Sequence, residues 1–246
     1  MSAALKPPPS NAATFDPARD NVFARIAGRY DRLCDIFSLG IHRLWKRAIA
    51  RQMASHPGLV VLDAASGTGD IPLRLMRGFR ESMRGRTLLV TDLCPQMLAI
   101  ARRKLASYPT QLAVHNCEQL ERIASDTVDL YSISFGMKIC DRHRAMAEAF
   151  RVLKPGGTFF CLEAARIPAP VIHAAYLRYM EWCLPLIGRI ASGGDPSTYG
   201  YLLQGVREFP AQHDFAEELR AAGFTNVTYR NLTFGIVAIH EATKPA

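Results

Sequence analysis

Leu59-Val60-Val61-Leu62-Asp63-Ala64-Ala65-Ser66-Gly67-Thr68-Gly69-Asp70 is the stretch from which the fold is read. Its apolar start does not alternate with polar residues, which marks a strand covered on both faces, as in a parallel sheet flanked by helices. A glycine turn follows at once. Gly67 and Gly69 let the backbone pass close to a ligand, because a side chain at either position restricts the turn or blocks the approach. Asp70 is then placed to cap the next helix, whose early Pro72 suits a first turn lacking intrahelical partners.

A strand, glycine turn and helix in succession bind a nucleotide-like cofactor. A dinucleotide fingerprint needs a third small residue where Pro72 stands, and no Gly-Lys-Ser/Thr follows to hold a triphosphate. What remains is an adenosine cofactor without a large phosphate demand. An acidic residue at the end of the next strand takes the ribose hydroxyls, and Asp92 closes the run Thr87-Leu88-Leu89-Val90-Thr91. Together with Leu153-Lys154-Pro155-Gly156-Gly157, this resembles the class I S-adenosylmethionine-dependent methyltransferases.

Outward from that unit, strand and helix alternate, the pattern of a doubly wound parallel sheet. Helices are expected over 71–80, 95–107 and 142–153, and strands over 111–115, 128–135 and 158–162, with Lys154-Pro155-Gly156-Gly157 ending the third helix and turning the chain. A last helix over 215–222 and a closing hairpin of 227–233 with 235–240 complete the pattern. The expected fold is α/β: a Rossmann-like, doubly wound, seven-stranded, mostly parallel sheet with helices on both faces. Residues 1–14 read as a polar tail and 15–246 as one domain. Within it, 15–57 form a helical lid of two amphipathic stretches joined near Ser38-Leu39-Gly40. Residues 166–211, rich in aromatic residues and too long for a simple connection, form a substrate-covering helical insertion after the fifth strand.

Apolar residues make up 49% of the chain and charged residues 21%, ordinary for a soluble globular protein. No apolar run approaches the roughly 20 residues that span a bilayer, and no signal peptide is evident. The six cysteines, at 34, 94, 117, 140, 161 and 183, contain no Cys-x-x-Cys pair and read as buried thiols in a reducing compartment, with no metal site. The net charge of +8 gathers around Arg43-Lys46-Arg47-Arg51 and Arg102-Arg103-Lys104, without the aromatic interleaving of a nucleic-acid platform. Those clusters are read either as solvated helix faces or as attraction to an anionic membrane surface. A cytoplasmic protein, peripheral at the inner membrane and without a nucleic-acid partner, is expected.

Further stretches resemble the ubiquinone/menaquinone biosynthesis C-methyltransferases of the UbiE type. They are Tyr30-Asp31, the run Ser38-Leu39-Gly40-Ile41-His42-Arg43-Leu44-Trp45-Lys46-Arg47, Ser132-Ile133-Ser134-Phe135-Gly136, Arg151 to Gly157, Tyr199 with Tyr201-Leu202, and Asn231-Leu232-Thr233 before Gly235-Ile236-Val237-Ala238. The resemblance implies an enzyme that transfers a methyl group from S-adenosylmethionine, leaving S-adenosylhomocysteine, to the ring of a prenylated quinol or phenol. Cofactor positions then fall on Asp63, Gly67, Thr68, Gly69, Asp92 and Leu93, on Asn116 and Cys117 beside the adenine, and on Ser134. Cys117 also reads as a small core residue, and Asp63 as a holder of backbone amides. Tyr30, His42 and Tyr199 are the candidate substrate-binding residues.

The chain departs from the family where Phe-Gly-Leu-Arg-Asn is common, having Phe135-Gly136-Met137-Lys138-Ile139. Lysine lacks the planar two-pronged donor of arginine, and isoleucine makes no polar contact. A ring carbon attacks the methyl group only when a neighbouring hydroxyl is wholly or partly deprotonated, so Lys138 is the candidate catalytic residue, stabilising the phenolate or acting as base. Three rivals stand beside this reading: another lipophilic acceptor methylated at C, O or N, a non-catalytic member of a biosynthetic complex, and a nucleic-acid methyltransferase. Self-association and membership of a biosynthetic complex both remain open.

Overall fold

A computed structural model of the protein describes residues 22–192 and 204–246. Five parallel strands, β1 (Val60–Ala64), β2 (Thr87–Asp92), β3 (Thr110–Val114), β4 (Val128–Ser134) and β5 (Leu153–Ala164), are followed by β6 (Thr225–Leu232) and β7 (Val237–Thr243). The last two run antiparallel and complete one sheet in the order β3-β2-β1-β4-β5-β7-β6. The chain therefore leaves β1 toward β2 and β3 and returns on the far side at β4, opening a crevice at the carboxyl ends of β1 and β4 where ligands of such sheets bind.

Alternate side chains of each strand feed two core layers. Leu62, Tyr131, Phe159 and Cys161 face α6 (Arg142–Val152) and α8 (Gln212–Ala221). Val61, Leu130, Phe160 and Leu162 face the other layer, with α3 (His42–Ala54), α4 (Asp70–Gly78) and α5 (Pro95–Lys104). Ile49, Ala50 and Met53 recur at helical spacing along α3 and are buried in that second layer. Of the helices in 15–57, α3 therefore covers the sheet. Its predecessors α1 (Val22–Ile26) and α2 (Tyr30–Ser38) instead join α7 (Pro170–Ser192) through Ile26, Leu33 and Met180. Leu39 and Gly40, both at positive φ, turn the chain between α2 and α3.

Two local expectations change. Gly69, in left-handed geometry, holds the cap position of α4 and Asp70 is the first helical residue, with its carboxylate in ion pairs instead of on backbone amides. Leu153-Lys154-Pro155-Gly156-Gly157 does not separate α6 from the next strand. The helix stops at Val152, Leu153 is already extended and pairs with Val128, and the motif lies at the start of β5. The physical reason is that Gly157 carries no Cβ: one built there lies 2.8 Å from the Lys154 carbonyl oxygen. Tyr199, Tyr201 and Gly193-Gly194 lie outside the described residues.

Candidate functional site

The loop after β1 climbs on two left-handed residues, Ala65 and Gly67, then Gly69. A side chain at Gly69 meets Ala101 of α5, with Cβ to Cβ at 3.0 Å, whereas a Cβ at Gly67 meets nothing within 4 Å. The loop is thus tight against the protein on one side and open on the other. Phe135, after β4, is left-handed too. The two loops touch: a Cβ on Gly136 falls 2.8 Å from that of Ala65. Non-glycine residues in such geometry persist only where the surroundings hold them, and they gather at ligand sites.

Asp92 closes β2 as expected. Its Oδ2 accepts the Gly67 amide at 2.7 Å and its Oδ1 the Cys94 amide at 2.8 Å, so one carboxylate shapes the loop after β1 and the start of α5. Burial raises its pKa, against those two amides. Each oxygen keeps a lone pair for a further donor. Asp63, 1% exposed in β1, accepts the Ser132 hydroxyl at 2.6 Å on Oδ1. Burial pushes its pKa up to about 6, with Ser132 opposing.

The Ser66 hydroxyl also approaches this Asp63 carboxylate and, like Ser132, opposes the rise, whereas the buried hydroxyl of Ser134 has no partner. Buried polar atoms are almost always hydrogen-bonded. The Ser134 hydroxyl at the carboxyl end of β4, facing an open glycine loop and the Asp92 carboxylate, is what a polar ligand would complete. Beyond β3, Asn116 accepts the Glu118 amide at 3.0 Å and Cys117 is buried in the core layer under α6. Leu93 is half-buried between Asp92 and Cys94.

Thr68 is brought into a different set of contacts. Its hydroxyl donates to Asp31 of α2 at 2.6 Å and accepts from the Lys104 ammonium at 2.9 Å. Lys104 also pairs with Asp31 at 2.5 Å and Asp70 at 3.2 Å, and the buried Lys46 meets Asp70 at 2.8 Å. Burial works against the Asp70 charge, but Lys46 and Lys104 outweigh it and hold the carboxyl well below the usual range. The network ties α2 to the glycine loop, to α3 and to α5. Its members lie far apart in the chain, so no local pattern announces them.

On the other side of the crevice, the Lys138 side chain is 9% exposed. Its ammonium lies 2.8 Å from Glu163 Oε1 and 2.8 Å from the Phe135 carbonyl, and 5.0 Å from the centre of the Phe135 ring. Glu163, 1% exposed, also accepts the Lys138 and Ala164 amides at 3.2 and 2.7 Å. Glu163 is the residue that sequence reasoning missed, although it ends β5 as Asp92 ends β2. Tyr30 packs against Phe23 and the Met97 cluster, its phenol held protonated by Cys34 and by burial. His42 turns into the corner of α2 and α3, with Nδ1 at 2.7 Å from Ser38 Oγ, and burial pushes its pKa down to about 4.

The family model described as the ubiE/COQ5 methyltransferase family matches residues 14–244. The ubiquinone/menaquinone biosynthesis C-methyltransferase UbiE of Acidiphilium cryptum is 42% identical over 226 residues, 89% of this chain and 88% of its own. The protein of that name from Cereibacter sphaeroides is 39% identical over 233 residues, 91% and 89% of the two chains. Among solved structures, an S-adenosylmethionine-dependent methyltransferase of Thermotoga maritima described as a possible histamine N-methyltransferase superposes with TM-score 0.65 at 16% identity. It covers 91% of this chain and 98% of its own. An O-methyltransferase family protein of Burkholderia thailandensis gives 0.62 at 15%, over 89% and 62%. The structural likenesses establish the fold.

Proposed function

This chain belongs to the ubiE/COQ5 methyltransferase family, and from that premise we propose that it C-methylates the ring of a prenylated quinol or phenol of the ubiquinone/menaquinone type. It is an S-adenosylmethionine-dependent methyltransferase, and the acceptor is a small lipophilic molecule of quinone type. One observation carries the reading: an open glycine loop, faced by the unpartnered Ser134 hydroxyl, touches at Ala65 and Gly136 the segment that carries the Lys138–Glu163 pair. When bound, S-adenosylmethionine supplies a methyl group on a sulfonium, which leaves in line toward a nucleophile.

The chain's own residues do the rest. Asp92 takes the ribose hydroxyls, Asn116 and Cys117 border the purine with Leu93 nearby, and Gly67 and Gly69 leave room for the backbone to approach. Asp63, Ser66 and Ser134 offer the polar contacts for the amino-acid end. A carboxylate whose pKa burial has raised is a strong acceptor for a cationic amine. Thr68 supports this loop from behind through Asp31 and Lys104. An ammonium already paired with Glu163 has no lone pair with which to take a proton. In this geometry Lys138 holds negative charge developing on the acceptor hydroxyl, and does not serve as base. Tyr30 and His42 shape the acceptor pocket.

A prenyl tail resides in the bilayer, so the encounter takes place on an anionic membrane surface, on its cytoplasmic side. None of the helices among the described residues is long and apolar enough to cross a membrane. The test is methyl transfer from labelled cofactor to a panel of demethylated quinols, phenols and prenylated lipids. We expect labelling of the quinol ring and, in cells lacking the protein, a quinone short by one methylene. Turnover confined to other acceptors would overturn the substrate. Measured separately by calorimetry, Asp92→Ala weakens cofactor affinity about a hundredfold, for loss of charge-assisted hydrogen bonds and of the loop's shape.

A further inference from the structure

We propose that the rim of the crevice is a membrane-docking surface, which seats the mouth of the site on the headgroup layer of an anionic bilayer. The inference rests on the reading that the acceptor is a membrane lipid and goes beyond it by assigning the residues that insert.

The turn between β6 and β7 is the clearest sign. Thr233, Phe234 and Gly235 are all left-handed, and Phe234 is 88% exposed. A strained backbone that presents a phenyl ring to water gains nothing within the protein itself. Leu39, at the left-handed corner between α2 and α3, is 80% exposed, Leu44 at the start of α3 is 65% exposed, and Val171 at the start of α7 is 83% exposed.

These four are linked around one opening by contacts on the page. Trp45, next to Leu44, donates its indole N–H to Thr233 at 2.7 Å, and Gly235 lies against Pro168, just before α7. Farther along α7, the Tyr179 hydroxyl reaches the Phe37 carbonyl of α2 at 3.4 Å, which closes the ring. Trp45 packs on Phe135, with ring centres 6.3 Å apart, so the ring encircles the segment that leads to Lys138. All four elements lie at the carboxyl end of the parallel strands, where β7 begins beside the end of β5.

The charge pattern selects the occupant. Exposed Arg32 and Arg47 alternate with the apolar residues on the outward faces of α2 and α3, and Arg166 stands exposed before Pro168. The carboxylates of α2 are already engaged, Asp31 with Lys104 and Asp35 with Arg43. Large apolar side chains set among arginines that have no ion pair among the described residues suit the interface of an anionic bilayer, where ring and leucine enter the acyl boundary and guanidinium groups meet phosphate.

The test uses the full chain, with vesicles of phosphatidylcholine alone or with phosphatidylglycerol. The parent is expected to sediment with phosphatidylglycerol vesicles and to be released by about 0.5 M salt. Leu44→Ser with Phe234→Ser lowers that binding about tenfold or more, and Arg47→Glu lowers it about fivefold. Leu59→Ser, at a 66% exposed leucine on the opposite end of the sheet, leaves it unchanged. Turnover of a short-tailed quinol in detergent stays at the parent rate in the double variant, while turnover of a long-tailed quinol in vesicles falls with binding. Vesicle binding by the double variant equal to the parent's overturns the proposal. So does a lipid-free change in the oligomeric state of the full chain on the same substitutions, which assigns the rim to a second copy. If the parent methylates no quinol at all, the acceptor reading falls, and the vesicle measurements still decide the rim.

Discussion

Across the crevice the two loops treat their polar groups in opposite ways. At the end of β4, facing the loop after β1, Ser134 keeps a buried hydroxyl without a partner. A few residues farther on, Lys138 and Glu163 pair with each other and with three backbone groups, the Lys138 ammonium using two of its three N–H donors. The first arrangement is costly until a ligand completes it, and the second is nearly complete already. The crevice thus sets a receptive side against a nearly complete one, in which charge is fixed in advance.

The sharpest way to break the comparison is to remove one member of the nearly complete side. Lys138→Met leaves Glu163 charged and buried, which costs about 3–5 kcal/mol of stability in chemical denaturation and abolishes methylation of the quinol. Lys138→Arg keeps the charge and retains most of the stability. If Lys138→Met unfolds at the parent's denaturant midpoint, the pair is not the fixed element described.

On the receptive side the expected effect is smaller and depends on pH. Burial pushes the Asp63 carboxyl in the folded protein up to about 6, from the 3.8 of a free aspartate. The folded protein therefore keeps a proton that the unfolded chain releases near pH 4. This group's contribution to stability is complete below pH 4, declines as pH rises to about 6, and is level above. Asp63→Asn keeps an acceptor for Ser132 and removes the decline. Measured without ligand, its stability gains on the parent by up to about 3 kcal/mol between pH 4 and pH 6. A gap independent of pH would remove the account of Asp63.

The smallest effect separates the loop from its support. Thr68→Val deletes the hydroxyl between Asp31 and Lys104, a loss of about 1 kcal/mol. Amide exchange in α2 is expected to quicken about fivefold while cofactor affinity stays within about twofold. A tenfold loss of affinity would return Thr68 to the cofactor.

The strand and turn around Gly67, the position of Asp92 at the end of its strand, the β-α alternation and the closing hairpin were legible because each depends on neighbours in the chain. So did the position of Lys138. Its partner Glu163 was not, because what makes a carboxylate at a strand end significant is the residue across from it, and that is set by the pairing of β4 with β5. The motif at Lys154 misled for a related reason: proline and glycine announced a turn, but contact with Asp129 and Lys244 drew the segment into the sheet.

The sequence alone determined a parallel α/β sheet with a glycine turn after its first strand and an acid closing its second, since hydrophobic period, glycine spacing and a strand-ending acid act over a few residues. Only the tertiary structure decided that Thr68 faces α2, that Lys138 is neutralised within the protein, and that Leu39, Leu44, Val171 and Phe234 share one rim. Those outcomes depend on which distant side chains meet and what water is left to reach, and burial and electrostatic pairing are properties of the assembled chain.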